Sequence, residues 1–509
     1  MGLTRIGANA TVGQPIPPPL QSHPEPQRMR ACVWYALVLF AGVPTLLSAQ
    51  GFGIYEQGTC AMGRAGTGVA APCSDGSAMF FNPAGLAGLT GAHATIGVTL
   101  IDIQGGFTDD VFQQHTELDD PLIGVPQLYI SYGATSKLGI GVGLFAPYGL
   151  ETRWPMTFDG RFAGYKNYLR SIYIQPTLAY QLTPRLSLGG GLDIVLGKVE
   201  LNQRLDLAQA PVPASILPVS PGMPPAVFGQ FGIAPGTDFA NTHLEATKTT
   251  VGAHFGAIFK ASDQLSFGAN FLTQAKFEYS GTASFNQVLT GLVVPASLTV
   301  GALTIPAGTP IDVLLGAPVT SGGLGLFDPA TGVFRTQPVT TTIRNPAQLE
   351  LGVAYKLANG WTLLGDYQLT WWSQFDELDI TFPQDASGLL SRKLFENYQN
   401  TSGFRFGAEW AKSAKWTLRG GYLHHDGAAP AETVTPLLPE GQRNEFTAGA
   451  TVKLAKSLTA DLAYQFVRQG DRRGRTREPI FNQVPTTGSN NGLYTLHAHL
   501  FGVSLGYAF

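Results

Sequence analysis

The end of the chain shows the clearest pattern of apolar and polar positions. Phe501, Val503, Leu505, Tyr507 and Phe509 alternate with glycine, serine and alanine. Alternate side chains of a β-strand point to opposite faces. The segment therefore predicts a strand with one bulky apolar face and one small-residue face, which fits lipid on one side and a filled lumen on the other.

The same alternation occurs upstream, for example at 186–194, 404–410 and 458–466. Single charged residues fall on the small-residue faces: Asp193, Asp366, Arg405, Glu409, Arg419 and Asp461. Such charges are tolerated only if the lumen contains water or if each charged side chain has a partner there. Several segments exceed the roughly five to six residues typical of strands in soluble proteins and reach the roughly nine to eleven needed to span a bilayer.

Fourteen strands are predicted in all. They cover residues 91–103, 125–135, 138–149, 166–181, 185–200, 243–260, 264–281, 341–357, 361–381, 398–411, 415–426, 442–454, 458–469 and 493–509. Short connections alternate with long ones, of which 201–242 and 282–340 are the longest. Short periplasmic turns and long extracellular loops are typical of outer-membrane barrels. We therefore predict an all-β fold, a 14-stranded antiparallel transmembrane β-barrel over 91–509, in the cell outer membrane of a Gram-negative bacterium.

Composition agrees with this prediction. Charged residues make up 13% of the 509 residues, about half the usual share, and glycine is abundant at 62 residues. The formal net charge of −3 gives no sign of a nucleic-acid partner.

The N-terminus carries the only long apolar run, at 31–47, which follows Arg28 and Arg30 and precedes Ser48 and Ala49. This pattern predicts a secretory signal peptide at 29–49. A transmembrane anchor is the alternative, which Pro44 disfavours. Residues 1–28 lack a structural pattern and are interpreted as an extension or a misassigned start.

Removal of the signal peptide would leave Cys60 and Cys73. The periplasm permits disulfides, but the sequence leaves open whether these two residues pair. No histidine or second cysteine lies near either at ligand spacing, so no metal site and no cofactor are predicted.

The segment before the first strand resembles the N-terminal region of the FadL/TodX family of outer-membrane hydrophobe transporters. The resemblance rests on Asn82-Pro83-Ala84 after a Met-Phe-Phe run, and on segments at 143–150, 371–375 and 436–443. It implies that residues 50–90 form a hatch that plugs the lumen. The alternative is that Asn82 and Pro83 only make a tight turn into the first strand.

The third predicted strand contains Pro147 and Gly149, which weaken strand pairing. The resemblance implies a kink here that opens the wall sideways, at Phe145, Ala146, Pro147, Tyr148 and Gly149. An apolar ligand could then pass into the bilayer without being re-exposed to water. The alternative is that Pro147 ends the strand at the extracellular rim.

The two longest loops are unusually apolar, which is typical of binding surfaces. The resemblance implies that they capture a hydrophobic substrate. The residues concerned are Ile216, Leu217, Met223, Val227, Phe228, Phe231, Leu289 and Leu292. The alternative is that the loops pack on each other as a lid.

Catalysis is not predicted. His424, His425 and Asp426 are adjacent at the mouth of a long loop, where we expect solvated polar residues. The basic run at 472–477 is expected to be solvated or to contact anionic lipopolysaccharide.

We therefore expect a monomeric, passive, ligand-gated transporter for long-chain fatty acids or other hydrophobic compounds, and no enzyme. A surface adhesin or structural outer-membrane protein is the alternative. The cargo stays open, since Arg153, Arg392 and Lys393 are only positional candidates for binding a carboxylate.

Overall fold

A computed structural model describes residues 51–119, 122–214, 222, 224–300, 303–477 and 483–509, without the side chains of Val300 and Leu303. The predicted extension at 1–28 and signal peptide at 29–49 lie outside the described residues. So do the predicted capture residues Ile216, Leu217 and Met223.

Fourteen antiparallel strands form the wall. They are β1 (Gly91–Asp109), β2 (Ile123–Gly133), β3 (Leu138–Arg153), β4 (Lys166–Gln181), β5 (Leu186–Leu205), β6 (Ala240–Lys260), β7 (Leu265–Leu272 and Ala275–Gln287), β8 (Gln337–Asn345 and Gln348–Lys356), β9 (Trp361–Thr370), β10 (Thr401–Trp410), β11 (Trp416–His425), β12 (Arg443–Lys453), β13 (Leu458–Gln469) and β14 (Gly492–Ala508). Each strand pairs with the next, and β14 pairs with β1 from His93↔Ala508 to Asp109↔Gly492. The predicted closed 14-stranded barrel is confirmed.

Short helical and strand segments lie between these strands and before them. Helical turns occur at Thr59–Met62, Ala78–Phe81, Pro83–Leu86, Asp159–Phe162, Phe228–Phe231, Ile311–Gly316, Val319–Ser321, Ala358–Gly360, Trp372–Gln374, Ala431–Thr433 and Thr487–Ser489. Short strands occur at His115–Glu117, Leu298–Val300, Leu303–Ile305, Glu377–Ile380, Arg392–Phe395 and Arg472–Gly474. Over the part of the chain that the structure describes, no helix has the length and apolar character needed to cross a membrane.

Several predicted strand limits are wrong. The ninth strand, predicted to reach residue 381, ends at Thr370, because the chain turns inward at Trp372. Strands β7 and β8 are each interrupted, at 273–274 and at 346–347, where Pro346 cannot donate a ladder hydrogen bond. The two longest loops shrink to 206–239 and 288–336, because β5 to β8 extend further than their alternation suggests.

The two faces of the wall separate as the alternation predicts. Phe501, Val503, Leu505, Tyr507 and Phe509 are between 42% and 79% exposed, so they point outward. Inward side chains are buried against the hatch, residues 51–90, which lies inside the barrel. Aromatic residues from both parts, including Phe80, Phe81, Phe145 and Trp372, form the shared core.

Candidate functional site

The Asn-Pro-Ala motif ties the hatch to the wall. Asn82 is fully buried. Its side-chain amide donates to the carbonyls of Val69 in the hatch (2.7 Å), Ala257 in β6 (3.0 Å) and Ala269 in β7 (3.2 Å). Its Oδ1 accepts the backbone N–H of Ala84 at 3.1 Å, which caps a 3₁₀ turn. The motif therefore makes the turn and also joins the hatch to two strands.

Glycine in the wall allows this close approach. Gly189 of β5 and Gly256 of β6 are paired with each other beneath the motif. A Cβ on Gly189 would lie 2.4 Å from the nitrogen of Ala84, and a Cβ on Gly256 would lie 2.1 Å from Oδ1 of Asn82. Any larger residue at either position would displace the hatch.

A disulfide joins Cys60 and Cys73, with an S–S distance of 1.98 Å. It closes the hatch segment that packs on β10 to β12. In this segment Arg64 forms an ion pair with Glu409 at 3.3 Å. Gly63 lies so close to the backbone of Gly449 that a Cβ on it would be 2.9 Å from the Gly449 Cα. This part of the hatch is held by covalent, ionic and packing contacts.

Most of the charged residues that point into the lumen are paired with the hatch or with one another, whereas Asp193 is buried and neither of its carboxylate oxygens has a hydrogen-bond partner among the described residues. Asp366 accepts the backbone N–H groups of Gly68 and Val69 at 2.8 and 3.2 Å. Arg405, fully buried, pairs with Glu350 at 3.0 Å. The sequence allowed either a lumen filled with water or one in which the charged side chains have partners. These contacts match the second.

The wall is incomplete between β2 and β3. The two strands pair only from Leu128↔Leu144 to Gly133↔Gly139, although both continue beyond these pairs. A register shift between Phe145 and Tyr148 bends β3 in its pairing with β4. Further along, the N–H of Asp119, which precedes β2, donates to the carbonyl of Arg153 at the end of β3 at 2.9 Å. We call the opening between these two levels the window.

The N-terminal segment of the hatch, residues 51–57, covers the window from inside. The N–H of Ile54 donates to the carbonyl of Pro147 at 2.8 Å, and the N–H of Gly149 donates to the carbonyl of Phe52 at 3.0 Å. The side-chain amide of Gln57 both donates to and accepts from the backbone of Ala146, at 2.9 and 2.8 Å. The hatch thus satisfies the strand edge that β2 leaves unpaired.

All five residues predicted for a lateral opening lie at the window. Four of them, Phe145, Ala146, Pro147 and Tyr148, are buried beneath the hatch. Pro147 does not end the strand, since β3 continues to Arg153. The alternative that Pro147 marks the extracellular rim is therefore wrong.

Trp372 fixes the start of the hatch. Its ring is fully buried and packs edge-on against Phe52, with centroids 4.8 Å apart. Gly51 has a φ of +56°, and a Cβ there would lie 2.6 Å from the Trp372 ring. The positive φ and the close approach both favour glycine at this position.

A cavity of about 300 Å³ lies at the window. Its apolar lining includes Ile54, Ile101, Val125 and Leu500. It is lined by lumen-facing residues such as Val125 and also by Gly124, Pro126 and Arg170, which are exposed on the outer face of the wall. The window cavity thus contacts residues of both faces of the wall.

Two carboxylates meet at the inner end of the window cavity. The side-chain amide of Gln465 donates to Oε1 of Glu56 at 2.7 Å and to Oε2 of Glu445. Burial and the neighbouring Glu445 carboxylate raise the pKa of Glu56 to about 7. Glu440 and Arg443 line the same end of the cavity, and Arg443 also donates to the carbonyl of Gly51 at 3.4 Å.

The extracellular loops form a second apolar core. It is built from phenylalanines and aliphatic residues of 206–239, 288–336 and 375–395. The predicted capture residues Phe228 and Phe231 are fully buried in it, so they do not form an exposed groove. Val227 and Leu292 are half-buried, and Leu289 is 78% exposed. The loops therefore pack on each other. This agrees with the alternative prediction, in which the two long loops form a lid.

A cleft of about 750 Å³ lies among these loops. It is lined by Asp206 and by five cationic residues, which are Arg204, Arg392, Lys393, Arg475 and Arg477. Arg477 is 3.6 Å from Asp206. We call this the loop cleft. Arg392 and Lys393 lie here, whereas Arg153 lies at the window.

Two polar motifs differ from expectation. His425 and Asp426 are buried rather than solvated, because the hatch fills the lumen at this height and the Tyr55 ring lies 5.4 Å from the His425 ring. Within the basic run, Arg475 is buried, whereas Arg473 pairs with Asp110 and its side chain is half exposed.

Sequence reasoning missed the carboxylate pair. Glu56 and Glu445 are 389 positions apart, and no local pattern marks either one. The only signal was a carboxylate on the predicted hatch and another at the start of a predicted strand.

A family model described as outer membrane protein transport protein (OMPP1/FadL/TodX) matches residues 40–509. The long-chain fatty acid transport protein of Escherichia coli O6:H1 is 23% identical over 485 residues, which cover 93% of this chain and 97% of that protein.

Solved structures show the same fold. A Pseudomonas aeruginosa FadL homologue superposes with a TM-score of 0.69 at 20% identity, over 90% of this chain and all of that one. The Ralstonia pickettii toluene transporter TbuX superposes with a TM-score of 0.58 at 19% identity, over 90% and 100% of the two chains.

Proposed function

Because the chain belongs to the OMPP1/FadL/TodX family of outer-membrane transport proteins, we propose that it takes up hydrophobic molecules and releases them sideways through the window. Its place in the outer membrane and its role as a transport protein, not an enzyme, follow from the family. What we propose for this chain is the hydrophobic cargo and its lateral route through the window.

One observation supports the lateral route through the window. The window cavity is lined by residues of both the lumen face and the outer face of the wall, and its lining is mainly aliphatic. A molecule that passes from such a cavity into lipid keeps its apolar surface away from water, which saves about 0.8 kcal/mol per CH₂.

The relatives support a hydrophobic cargo. One is named a long-chain fatty acid transport protein and another a toluene transporter. For this chain we propose passive uptake of fatty acids or other apolar compounds, without a cofactor.

Ligand gating is proposed for the N-terminal segment of the hatch. Residues 51–57 are held at the window by Trp372 and by hydrogen bonds to β1, β2, β3, β12 and β13, whereas the rest of the hatch carries the disulfide and the Asn82 bonds. Residues of this segment line the window cavity, so a ligand that enters the cavity would displace this segment first.

Capture is proposed for the extracellular loops. Because Phe228 and Phe231 are buried in the loop core, capture there requires the loops to separate. Leu289 is the predicted capture residue that already faces solvent.

Three further predictions stay proposals. We propose export by a signal peptide at 29–49, contact of the basic loop with lipopolysaccharide, and a monomer. The closed β1–β14 pairing supports the monomer, since it leaves no strand edge there for another chain.

The test combines binding with uptake. The purified protein is dialysed against toluene and against oleate, and uptake is measured in a deletion strain. We expect saturable binding of at least one ligand. We also expect slower uptake for Pro147→Val, because valine has a backbone N–H that can form a ladder hydrogen bond. Replacing Gly149 as well would also disturb the packing of the hatch, because a Cβ at this position would lie 2.9 Å from the side chain of Ile54.

Pro176→Val is the matched control, since Pro176 is an exposed strand proline in β4, away from the window. No saturable binding of either ligand, together with wild-type uptake in the deletion strain, would refute the transporter. Unchanged uptake in Pro147→Val would refute lateral release.

A further inference from the structure

The window cavity carries more negative than positive groups. Five carboxylates line it, from Glu56, Asp119, Glu151, Glu440 and Glu445. Three guanidinium groups line it, from Arg153, Arg170 and Arg443. Arg153 is already paired with Glu151 at 2.6 Å near the mouth. The excess of carboxylates is therefore concentrated at the inner end.

At that end, two carboxylates share one uncharged donor. The amide nitrogen of Gln465 has two hydrogens, one for Glu56 and one for Glu445. The second oxygen of Glu56 accepts the N–H of Tyr55 at 3.0 Å. The second oxygen of Glu445 is 3.9 Å from Nδ1 of His425.

The remaining groups that face this pair do not reverse its charge. Arg443 is the one guanidinium that lines this end, and it also contacts the carbonyl of Gly51. Glu440, almost fully buried, adds a third carboxylate and accepts the N–H of Ala429. Arg405 also acts electrostatically on Glu445, and Arg472 on Glu440, but neither lines the cavity. Among the residues that line this end, three carboxylates thus face one cation.

Like charges repel strongly where water is scarce, because the effective dielectric is low. A fourth carboxylate, brought in by a ligand, would face these three carboxylates, and Arg443 is the one cation in the lining of this end with which it could pair. An uncharged molecule of the same length would meet the same aliphatic walls without this repulsion.

We propose that Glu56 and Glu445 make the window cavity selective for uncharged hydrophobic molecules and exclude those that carry a carboxylate. This inference rests on the proposed function and narrows its cargo. It assigns Glu56 and Glu445 the role of specificity-determining residues.

The experiment is a competition at pH 8. Radiolabelled toluene is bound to the purified full-length protein and displaced by octanol or by octanoate, two ligands of equal chain length. Because only displacement of toluene is read, octanoate bound in the loop cleft does not contribute. We expect octanoate to compete at least tenfold more weakly than octanol.

The variant Glu56→Gln with Glu445→Gln should strengthen competition by octanoate at least fivefold and leave octanol within twofold. The control is Glu151→Gln, at the mouth of the same cavity. If the double variant does not fold, Glu56→Gln alone, in the hatch, should strengthen octanoate competition at least threefold.

Equal competition by the two ligands in the wild-type protein, or unchanged octanoate competition in the folded variants, would overturn the selectivity and leave the transporter intact. If neither toluene nor oleate binds saturably, the transporter and this inference both fail.

Discussion

The window cavity, of about 300 Å³, is lined by five carboxylates and three guanidinium groups, whereas the loop cleft, of about 750 Å³, is lined by five cations and one carboxylate. The first lies against the hatch within the wall. The second lies among extracellular loops. Some of the outer cations are already paired, for example Lys393 with Glu377 and Arg204 with Asp238. The excess of cations in its lining still makes the outer site more favourable to an anion than the inner one.

This difference bears on how the outer cations are interpreted. Cations near an extracellular surface suggest at first a carboxylate cargo. The loop cleft would serve such a cargo only if the window cavity could also accept it, and the pair of Glu56 and Glu445 opposes this. This agrees with the proposal that the basic loop contacts the phosphates of lipopolysaccharide.

The two sites also differ in what holds them in place. The window cavity depends on the hatch, which is fixed by a disulfide and by Asn82. The loop cleft depends on the apolar loop core and on ion pairs such as Arg477 with Asp206. Changes in the hatch should therefore affect one site and leave the other unchanged.

The largest effect is expected from Cys60→Ala with Cys73→Ala. The disulfide spans 13 positions, and a loop of this size contributes about 3 kcal/mol. Hydrogen exchange within 60–73 should become more than about 100-fold faster, while exchange in 288–336 stays unchanged. The reduced wild-type protein should match the variant. Unchanged exchange in the hatch would contradict the role given to the disulfide.

Asn82→Ala should have the next largest effect. It removes the donor to three carbonyls, at a cost of about 1–3 kcal/mol. We expect weaker toluene binding and a leak of small polar solutes in a liposome-swelling assay. The control is Asn286→Ala, an exposed position in β7. A sealed barrel with normal toluene affinity would show that the motif acts only as a turn.

The wall could be predicted from the sequence because its determinants are local. Period-two alternation and short turns fix the strand count, so errors were confined to strand ends and to the interruptions in β7 and β8. The inward turn at Trp372 was missed because that side chain packs against Gly51, which is more than 300 positions away.

The site could be predicted only in part. Pro147 marks weak pairing by its own chemistry, and the family resemblance placed the lateral opening at the same position. What covers the window did not, because the partners are backbone groups of Phe52 and Ile54. Burial of Phe228 and Phe231 was also missed, since apolar loops look alike in sequence whether they bind a ligand or each other.

A smaller effect is expected from Arg392→Gln with Arg477→Gln in the loop cleft. Two cations are lost from a mostly positive surface, so binding of lipopolysaccharide should weaken about fivefold at low salt and less at high salt. Toluene binding should stay within twofold. A matching loss of toluene binding would show that the two sites are not independent.

The smallest effect concerns pH. The docked hatch raises the pKa of Glu56 to about 7, so it binds a proton more tightly than the undocked hatch. Docking should therefore weaken as pH rises from about 5 to about 7 and level off above that pH. Hydrogen exchange of 51–57, taken as the ratio of wild-type to Glu56→Gln at each pH, should rise a few-fold. A flat ratio would contradict this assignment.

The most direct test of the account locks the hatch onto β3. Gly53 and Tyr148 form a β-bridge at the window, and Gly53→Cys with Tyr148→Cys would allow a disulfide between them. Uptake of radiolabelled toluene is measured in cells with the variant oxidised and then reduced, beside the wild type treated in the same way. We predict at least a tenfold loss of uptake when oxidised and recovery on reduction. Full uptake by the oxidised variant would show that cargo does not leave through the window.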